Sequence, residues 1–212
     1  AAAQPEPKWN LLDRYLASAE AGAIGSLICI TKLDLVKENE QALKAELDEY
    51  RRIGYTYLLT SSFSGEGIEE LREALTGRTS VLVGKSGVGK TALLNALQPG
   101  LGLRVKEVNQ ATGKGRHTTT NLEMFPLDSG GAIVDTPGTR EFGLCDIEDD
   151  LGLLFPEMRP LVGKCRFGLD CQHDEEPGCA IRKAVMAGQI SARRYQSYLI
   201  FNQEVSNVRR NG

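Results

Sequence analysis

The sequence predicts an α/β domain with a mostly parallel sheet, followed by a small, mainly helical domain built around a Cys/His cluster. Three observations carry this. Apolar runs of strand length alternate with helical stretches over residues 8–136. One of those strands runs into Gly84-Lys85-Ser86-Gly87-Val88-Gly89-Lys90-Thr91, a G-x-x-x-x-G-K-[ST] loop that opens a helix. After about residue 147 the strand signals stop, and Cys165, Cys171, His173 and Cys179 fall within 15 residues. The domains are therefore divided at 1–147 and 148–212.

Residues 8–20 read as a helix with Trp9, Leu12 and Leu16 on one face. SLICIT, residues 26–31, is a short apolar run of the buried-strand type. A charged amphipathic helix follows at 38–53, with Leu43, Leu47 and Tyr50 inward. YTYLLTSS, residues 55–62, is rich in aromatic residues and Thr, as strands are. Residues 67–76 form a helix with Ile68, Leu71 and Leu75 inward, and Gly77 is placed to end it. TSVLVG (79–84) is a strand, and a helix begins at 90–97. LEMFPL (122–127) and GAIVDT (131–136) are strands around a Ser129-Gly130-Gly131 turn. The stretch 98–120, between the helix at 90–97 and the strand at 122–127, is Gly/Thr-rich and aperiodic, which in a compact domain marks a functional or unstructured loop. Helices are expected at 178–187 and 192–208, separated by Gly188, with Ser191 as N-cap of the second.

Composition sets limits. Hydrophobic residues at 41% and charged residues at 25% describe a globular chain. No apolar run approaches the roughly 18–20 residues that span a bilayer, so no membrane association is expected. AAAQPEPKWN has neither a basic nor an apolar signal region. Five cysteines, three of them clustered, suit a metal site in a reducing compartment better than a disulfide framework, so a cytoplasmic location is expected. Residues 1–150 carry 16 Lys+Arg against 22 Asp+Glu, whereas 151–212 carry 9 against 6. The basic C-terminal part has the sign of a surface that meets phosphate, and Arg182, Lys183, Arg193, Arg194, Arg209 and Arg210 are its candidates.

The motifs assign chemistry. The glycines of 84–91 let backbone N–H groups curl around phosphate oxygens at a helix N-terminus. Lys90 reaches the β- and γ-phosphates, and the Thr91 hydroxyl is a Mg²⁺ ligand. Asp135-Thr136-Pro137-Gly138 closes an apolar strand; Asp135 suits the magnesium ion, and the Gly138 N–H suits the γ-phosphate. Thr31-Lys32-Leu33-Asp34 follows SLICI and matches [NT]-K-x-D. There Asp34 accepts from guanine N1–H and the 2-amino group, donors that adenine lacks, while the Lys32 stem covers the base. Ser61 and Ser62 sit where a backbone contact to guanine O6 is expected. Gly113-Lys114-Gly115-Arg116-His117-Thr118-Thr119-Thr120 ends the long loop, where a switch Thr completes Mg²⁺ coordination. One of Thr118, Thr119 and Thr120 has that role, and the sequence does not choose among them. Cys165-x₅-Cys171-x-His173-x₅-Cys179 supplies three thiolates and one imidazole, a complete tetrahedral set for one structural Zn²⁺. Cys29 reads as a small core residue, and Cys145 has no assigned role.

The order is unusual. The base-reading motif and Ser61/Ser62 precede the phosphate loop and DTPG, the reverse of a conventional GTPase. A circularly permuted P-loop GTPase domain meets this order, because domain termini commonly lie close together. The chain resembles the RsgA/YjeQ family of circularly permuted GTPases in TKLD, TSSFSGEG, GKSGVGKT, GKGRHTTT, DTPG and the C-x₅-C-x-H-x₅-C site. The likeness runs over nearly the whole chain. It implies hydrolysis of GTP to GDP, stimulated by the small ribosomal subunit during late maturation, with Mg²⁺ and Zn²⁺ and rRNA contact; a monomer is expected separately. It also implies that His117 takes part in hydrolysis; Lys90 joins it as a catalytic candidate from the phosphate-loop motif. Two positions depart from the family: Ser62 stands where Ala is frequent, and Thr31 where Asn is common. The family carries an N-terminal OB-fold and a strand just before the first helix. Neither lies in these 212 residues, so the chain is expected to be part of a longer protein. The competing expectations are a zinc-stabilised rRNA-binding module with a regulatory nucleotide site, and a P-loop ATPase, which Asp34 argues against.

Overall fold

The computed structural model describes residues 1–4, 6–36, 40–103, 123–135 and 150–211. The elements are α1 (Trp9–Ala21), β1 (Leu27–Ile30), α2 (Glu40–Arg52), β2 (Thr56–Leu59), α3 (Ile68–Leu75), β3 (Arg78–Leu82), α4 (Lys90–Leu97), β4 (Glu123–Pro126), β5 (Gly131–Asp135), α5 (Ala180–Met186) and α6 (Ala192–Asn211). Each matches an element expected from periodicity, within a few residues at its ends. No helix among the described residues is long and apolar enough to cross a membrane.

The described chain divides into two compact units that are not contiguous. One holds Ala1–Pro7, Leu27–Ala45 and Tyr57–Glu141; the other holds Lys8–Ser26, Glu46–Thr56 and Phe142–Gly212. Thus α1 and residues 46–56 group with the Cys/His segment, although they lie early in the chain.

In the first unit, β1 pairs with β2, and β3, β5 and β4 form a second sheet in that order. β3 and β5 run parallel, with Leu82 opposite Asp135. β4 joins antiparallel, as a hairpin partner of β5. Gly131 cannot be replaced freely at that turn: its φ is 87°, and a Cβ there would lie 2.2 Å from the Arg78 carbonyl oxygen. The core is apolar. Ile68, Leu71 and Leu75 of α3 meet Leu93, Leu94 and Leu97 of α4 over Ile133, and Cys29 is partly buried against this cluster.

The second unit packs Phe155, Met158, Ile181, Tyr198 and Phe201 around the three clustered cysteines. It also buries charge. Asp13, on the apolar side of α1, is 0% exposed. It accepts from Tyr50 Oη at 2.6 Å, Ser197 Oγ at 2.6 Å, Arg194 at 2.7 Å and Arg193 at 3.2 Å. Arg194 also grips Glu157 through two hydrogen bonds, at 2.7 and 3.0 Å. Arg193 pairs with Glu46 as well and lies over the Trp9 and Tyr50 rings. This corrects the expectation that Arg193 and Arg194 serve an outer phosphate-binding surface. Arg194 is 2% exposed, and both guanidiniums are engaged inside their own unit.

Candidate functional site

The nucleotide motifs meet in the first unit. β3 delivers the chain to the loop 84–89, where Gly87 and Gly89 have φ of 82° and 97°. Glycine adopts such angles without strain, and they turn the chain tightly ahead of α4. Lys85, Ser86 and Val88 complete the loop, with Lys85 and Ser86 exposed. Lys90 opens α4 and folds back, its Nζ donating to the Gly84 carbonyl at 2.6 Å. An ammonium beside a Gly-rich loop at a helix N-terminus is an arrangement able to receive phosphate. Thr91 follows on the first turn of α4.

The base-reading motif is seated on this loop. Thr31 Oγ1 lies 2.5 Å from the Val88 carbonyl oxygen, and Lys32 Nζ donates to the Gly87 carbonyl at 2.8 Å. Lys32 has φ of 62°, a left-handed backbone that turns the chain sharply after β1 so that Asp34 faces the next loop. A Cβ at Gly89 would stand 3.6 Å from Thr31 Oγ1, so the two motifs approach closely. Asp34 Oδ1 accepts from Ser61 Oγ at 2.5 Å. Ser61 is fully buried, and its hydroxyl also accepts from the N–H groups of Phe63 and Ser64. Ser62 is half-buried beside it. Hydrogen bonds thus bring together segments 31–34, 61–62 and 84–91, which lie up to 60 positions apart in the chain.

Asp135 ends β5, level with the end of β3 that enters the phosphate loop. Gly138, His117, Thr118, Thr119, Thr120 and Cys145 lie outside the described residues.

The second unit holds the metal-ligand set. Cys165, Cys171, His173 and Cys179 are all buried, and their donor atoms lie within 4.8 Å of one another. Cys165 Sγ is 3.8 Å from Cys179 Sγ, and His173 Nδ1 is 3.4 and 3.6 Å from those two sulfurs. Zn–S and Zn–N bonds of about 2.3 and 2.0–2.1 Å in a tetrahedron set these edges at about 3.8 and 3.5 Å. The donor set fits zinc in chemistry, and Cys165, Cys179 and His173 stand at zinc spacing, with the Cys171 sulfur within 4.8 Å of the other donors. Local structure explains how. Cys179 is the N-cap of α5 and accepts from the Arg182 N–H, while Cys165 accepts from the Ala180 N–H. His173 takes a left-handed φ of 60°, held by Tyr195 Oη donating to its carbonyl at 2.6 Å.

Sequence reasoning missed Asp150. Its carboxylate takes the Nε2 side of His173 at 3.2 Å and accepts from the Gly152 N–H at 2.7 Å. This leaves Nδ1 to face the thiols, the usual outer partner of a ligating imidazole. Burial works against the His173 charge, but its hydrogen bonds to Asp150 and Cys179 outweigh that and raise its pKa to about 9. Burial pushes the Cys171 thiol up to about 12. Both protons must leave as a metal enters, so metal binding here is linked to proton release.

Comparison with known proteins agrees with this geometry. The family model described as RsgA GTPase matches residues 1–145. The small ribosomal subunit biogenesis GTPase RsgA of Ectopseudomonas mendocina is 48% identical over 196 residues, covering 92% of this chain and 57% of that protein. The protein of the same name in Pseudomonas aeruginosa is 48% identical over 199 residues, covering 93% and 58%. The chain therefore spans less than three fifths of the length of these relatives. Among solved structures, YjeQ from Thermotoga maritima superposes with a TM-score of 0.80 at 35% identity, over 97% of this chain and 69% of that one. YloQ, described as a circularly permuted GTPase, gives 0.77 at 35% identity, over 98% and 66%.

Proposed function

Because the chain belongs to the RsgA GTPase family and has the fold of a circularly permuted GTPase, we propose that it hydrolyses GTP to GDP and phosphate in late maturation of the small ribosomal subunit, which stimulates it. The observation that carries this reading is the base-reading segment 31–34 docked on the phosphate loop, with Lys32 on Gly87 and Asp34 tied to Ser61. Asp34 selects guanine, Ser61 and Ser62 flank O6, and Gly84 through Thr91 hold the phosphates. Thr91, Asp135 and one of Thr118, Thr119 and Thr120 would hold Mg²⁺, which would supply charge neutralisation at the phosphoryl oxygens. Gly138 senses the γ-phosphate.

By function the chain divides at 147/148, with the second part carrying one structural Zn²⁺ on Cys165, Cys171, His173 and Cys179. The rRNA contact falls to the remaining basic candidates Arg182, Lys183, Arg209 and Arg210. The protein acts as a cytoplasmic monomer.

Water placement is assigned to His117. Thr139 follows DTPG, where many GTPases use a Gln to orient the attacking water, and a Thr lacks both its reach and its amide. His117 is the one histidine outside the Cys/His cluster, and an imidazole accepts from water with a pKa near working pH. The test is GTP and ATP turnover by the 212-residue chain with and without purified small subunits. Slow GTP turnover that rises with subunits is expected. His117→Ala should keep GTP affinity within a few-fold and lose roughly 10²-fold of the stimulated rate. Equal use of ATP, or no response to subunits, sinks the reading. A His117→Ala protein stimulated like wild type removes the histidine from the chemistry.

A further inference from the structure

Of the four clustered donors, only His173 has a left-handed backbone, and it is fully buried. A residue with a Cβ rarely adopts that conformation, and it persists where the surroundings over-determine it. Two sets of groups do so here. The Glu176 carboxylate spans the loop, with Oε1 accepting from the Gln172 N–H at 2.7 Å and Oε2 from the Asp174 N–H at 3.0 Å. From α6, Tyr198 Oη donates to the Gln172 carbonyl at 3.2 Å. Tyr195 Oη donates to the His173 carbonyl at 2.6 Å and lies 3.3 Å from the Asp174 carbonyl oxygen. Three consecutive carbonyls, 172–174, thus lie within reach of two hydroxyls from one helix. The bond from Tyr195 is the shortest of these, and it falls on the ligand itself. The two tyrosine rings are fixed as well: they stack with centroids 6.2 Å apart, and Tyr198 meets Phe155 edge-on.

Resting on the metal reading above, we propose that Tyr195 is a positioning residue for the zinc site, whose hydroxyl holds the left-handed backbone of His173 and so keeps Nδ1 aimed at the thiols. Ring and backbone are held separately. Asp150 takes Nε2, which orients the ring about its own bonds. It does not fix the direction in which the main chain projects that ring. Were φ of His173 to relax to the negative values that side chains favour, the Cα–Cβ bond would turn. Nδ1 would then leave its place 3.4 and 3.6 Å from the Cys165 and Cys179 sulfurs. Cys171 lies two residues back on the same loop, so one relaxation would disturb two of the four donors. The Tyr195 hydroxyl opposes it without touching the metal, acting through the main chain of the ligand.

Zinc transfer from the loaded 212-residue chain to an excess of a chromogenic chelator tests this in wild type, Tyr195→Phe and Ser197→Ala. Phenylalanine keeps the stacked ring and removes only the hydroxyl. Ser197→Ala also deletes a hydroxyl from α6, but one that donates to Asp13 at 2.6 Å rather than to the ligand loop. It therefore reports what a general loosening of the helix does. Tyr195→Phe should release zinc about tenfold faster or more, the usual scale for losing a group that orients a ligand, whereas Ser197→Ala should stay within a few-fold of wild type. Cobalt(II) reports the geometry. The visible d–d bands of cobalt-loaded Tyr195→Phe should shift towards those of His173→Ala, and Ser197→Ala should keep the wild-type bands. Glu176→Ala frees the other side of the same loop and should act in the same direction, which keeps the test open should the phenylalanine variant not fold. Wild-type release or wild-type cobalt bands in Tyr195→Phe overturns the proposal. So does equal acceleration in Ser197→Ala, which would make the hydroxyl a part of helix packing alone. A wild-type chain that takes up neither zinc nor cobalt would instead remove the metal reading itself.

Discussion

The two units build their sites from opposite materials. In the first, the phosphate loop is largely backbone: glycine dihedrals, N–H groups and a lysine lying along its own carbonyls. Its core is elsewhere, in the apolar contacts of α3, α4 and Ile133. In the second, the site is the core. Cys165, Cys171, His173 and Cys179 are buried side chains packed with Phe155, Met158 and Tyr198. What differs is whether function and folding can be separated. Changes at the nucleotide site should alter binding and leave the unit folded, whereas changes at the Cys/His site should loosen the unit that holds it.

Metal removal gives the largest expected contrast. A structural zinc contributes on the order of 10 kcal/mol to folding the domain around it. One equivalent per chain is expected in freshly purified protein. Chelation, or Cys171→Ala, should speed amide exchange through α5 and α6 and leave α4 protected. Metal analysis that finds no zinc, or equal loss of protection in α4, breaks the comparison.

The buried carboxylate comes next. Asp13→Ala leaves Arg194, 2% exposed, with one of its two acid partners gone, and strips Arg193, Tyr50 and Ser197 of an acceptor. Breaking a buried pair from one side costs about 3–5 kcal/mol. Trp9 stacks on Tyr50 and lies under Arg193, so its fluorescence in a urea titration reports this unit directly. Asp13→Asn should cost less, because the amide oxygen still accepts. A midpoint shift equivalent to under about 1 kcal/mol for the alanine variant would show that the network is replaceable by water.

That network also marks where sequence legibility ended. The approach of TKLD to the loop 84–91 and the clustering of the Cys/His set were readable because each is a local pattern of fixed spacing, whereas DTPG beyond Asp135 lies outside the described residues. Leu43, Leu47, Ile68, Leu71 and Leu75 were readable as core from the helical period alone, and all are buried. Asp13 was not, since a carboxylate on a helix ordinarily reads as solvated, and its partners lie 37 to 184 residues away. The same gap placed Arg193 and Arg194 on an outer surface: sequence gives their charge but not the acids they meet. Asp150 escaped notice because an outer partner of a ligand has no fixed spacing from it. The assignment of α1 and residues 46–56 to the second unit follows from these long-range pairs, which periodicity does not encode.

The smallest expected effect tests the first unit's half of the comparison. Ser61 is fully buried, and its hydroxyl donates to Asp34 Oδ1 at 2.5 Å, so under the proposed function it is expected to matter more to the site than to the fold. In Ser61→Ala the backbone bonds from Ser61 to Glu66 and from Gly65 to Ser61 remain, so the turn should persist. The N–H groups of Phe63 and Ser64 lose an acceptor, but both residues are exposed and water can take its place. Asp34 loses the neighbour that fixes its rotamer before the base arrives. A hydrogen bond to a charged group contributes about 1.5–3 kcal/mol, and part of that returns when guanine itself supplies donors. GTP affinity should therefore fall about tenfold, equivalent to about 1.4 kcal/mol, with ATP binding unchanged, so that discrimination narrows by the same factor. Stability should move by less than about 1 kcal/mol. Calorimetric titration with both nucleotides, beside a denaturation curve, separates the two quantities. If Ser61→Ala instead unfolds α3 and the β1–β2 pair while binding weakens only in proportion, then the nucleotide site is as much a part of its unit's core as the cysteines are of theirs, and the distinction between the two units fails.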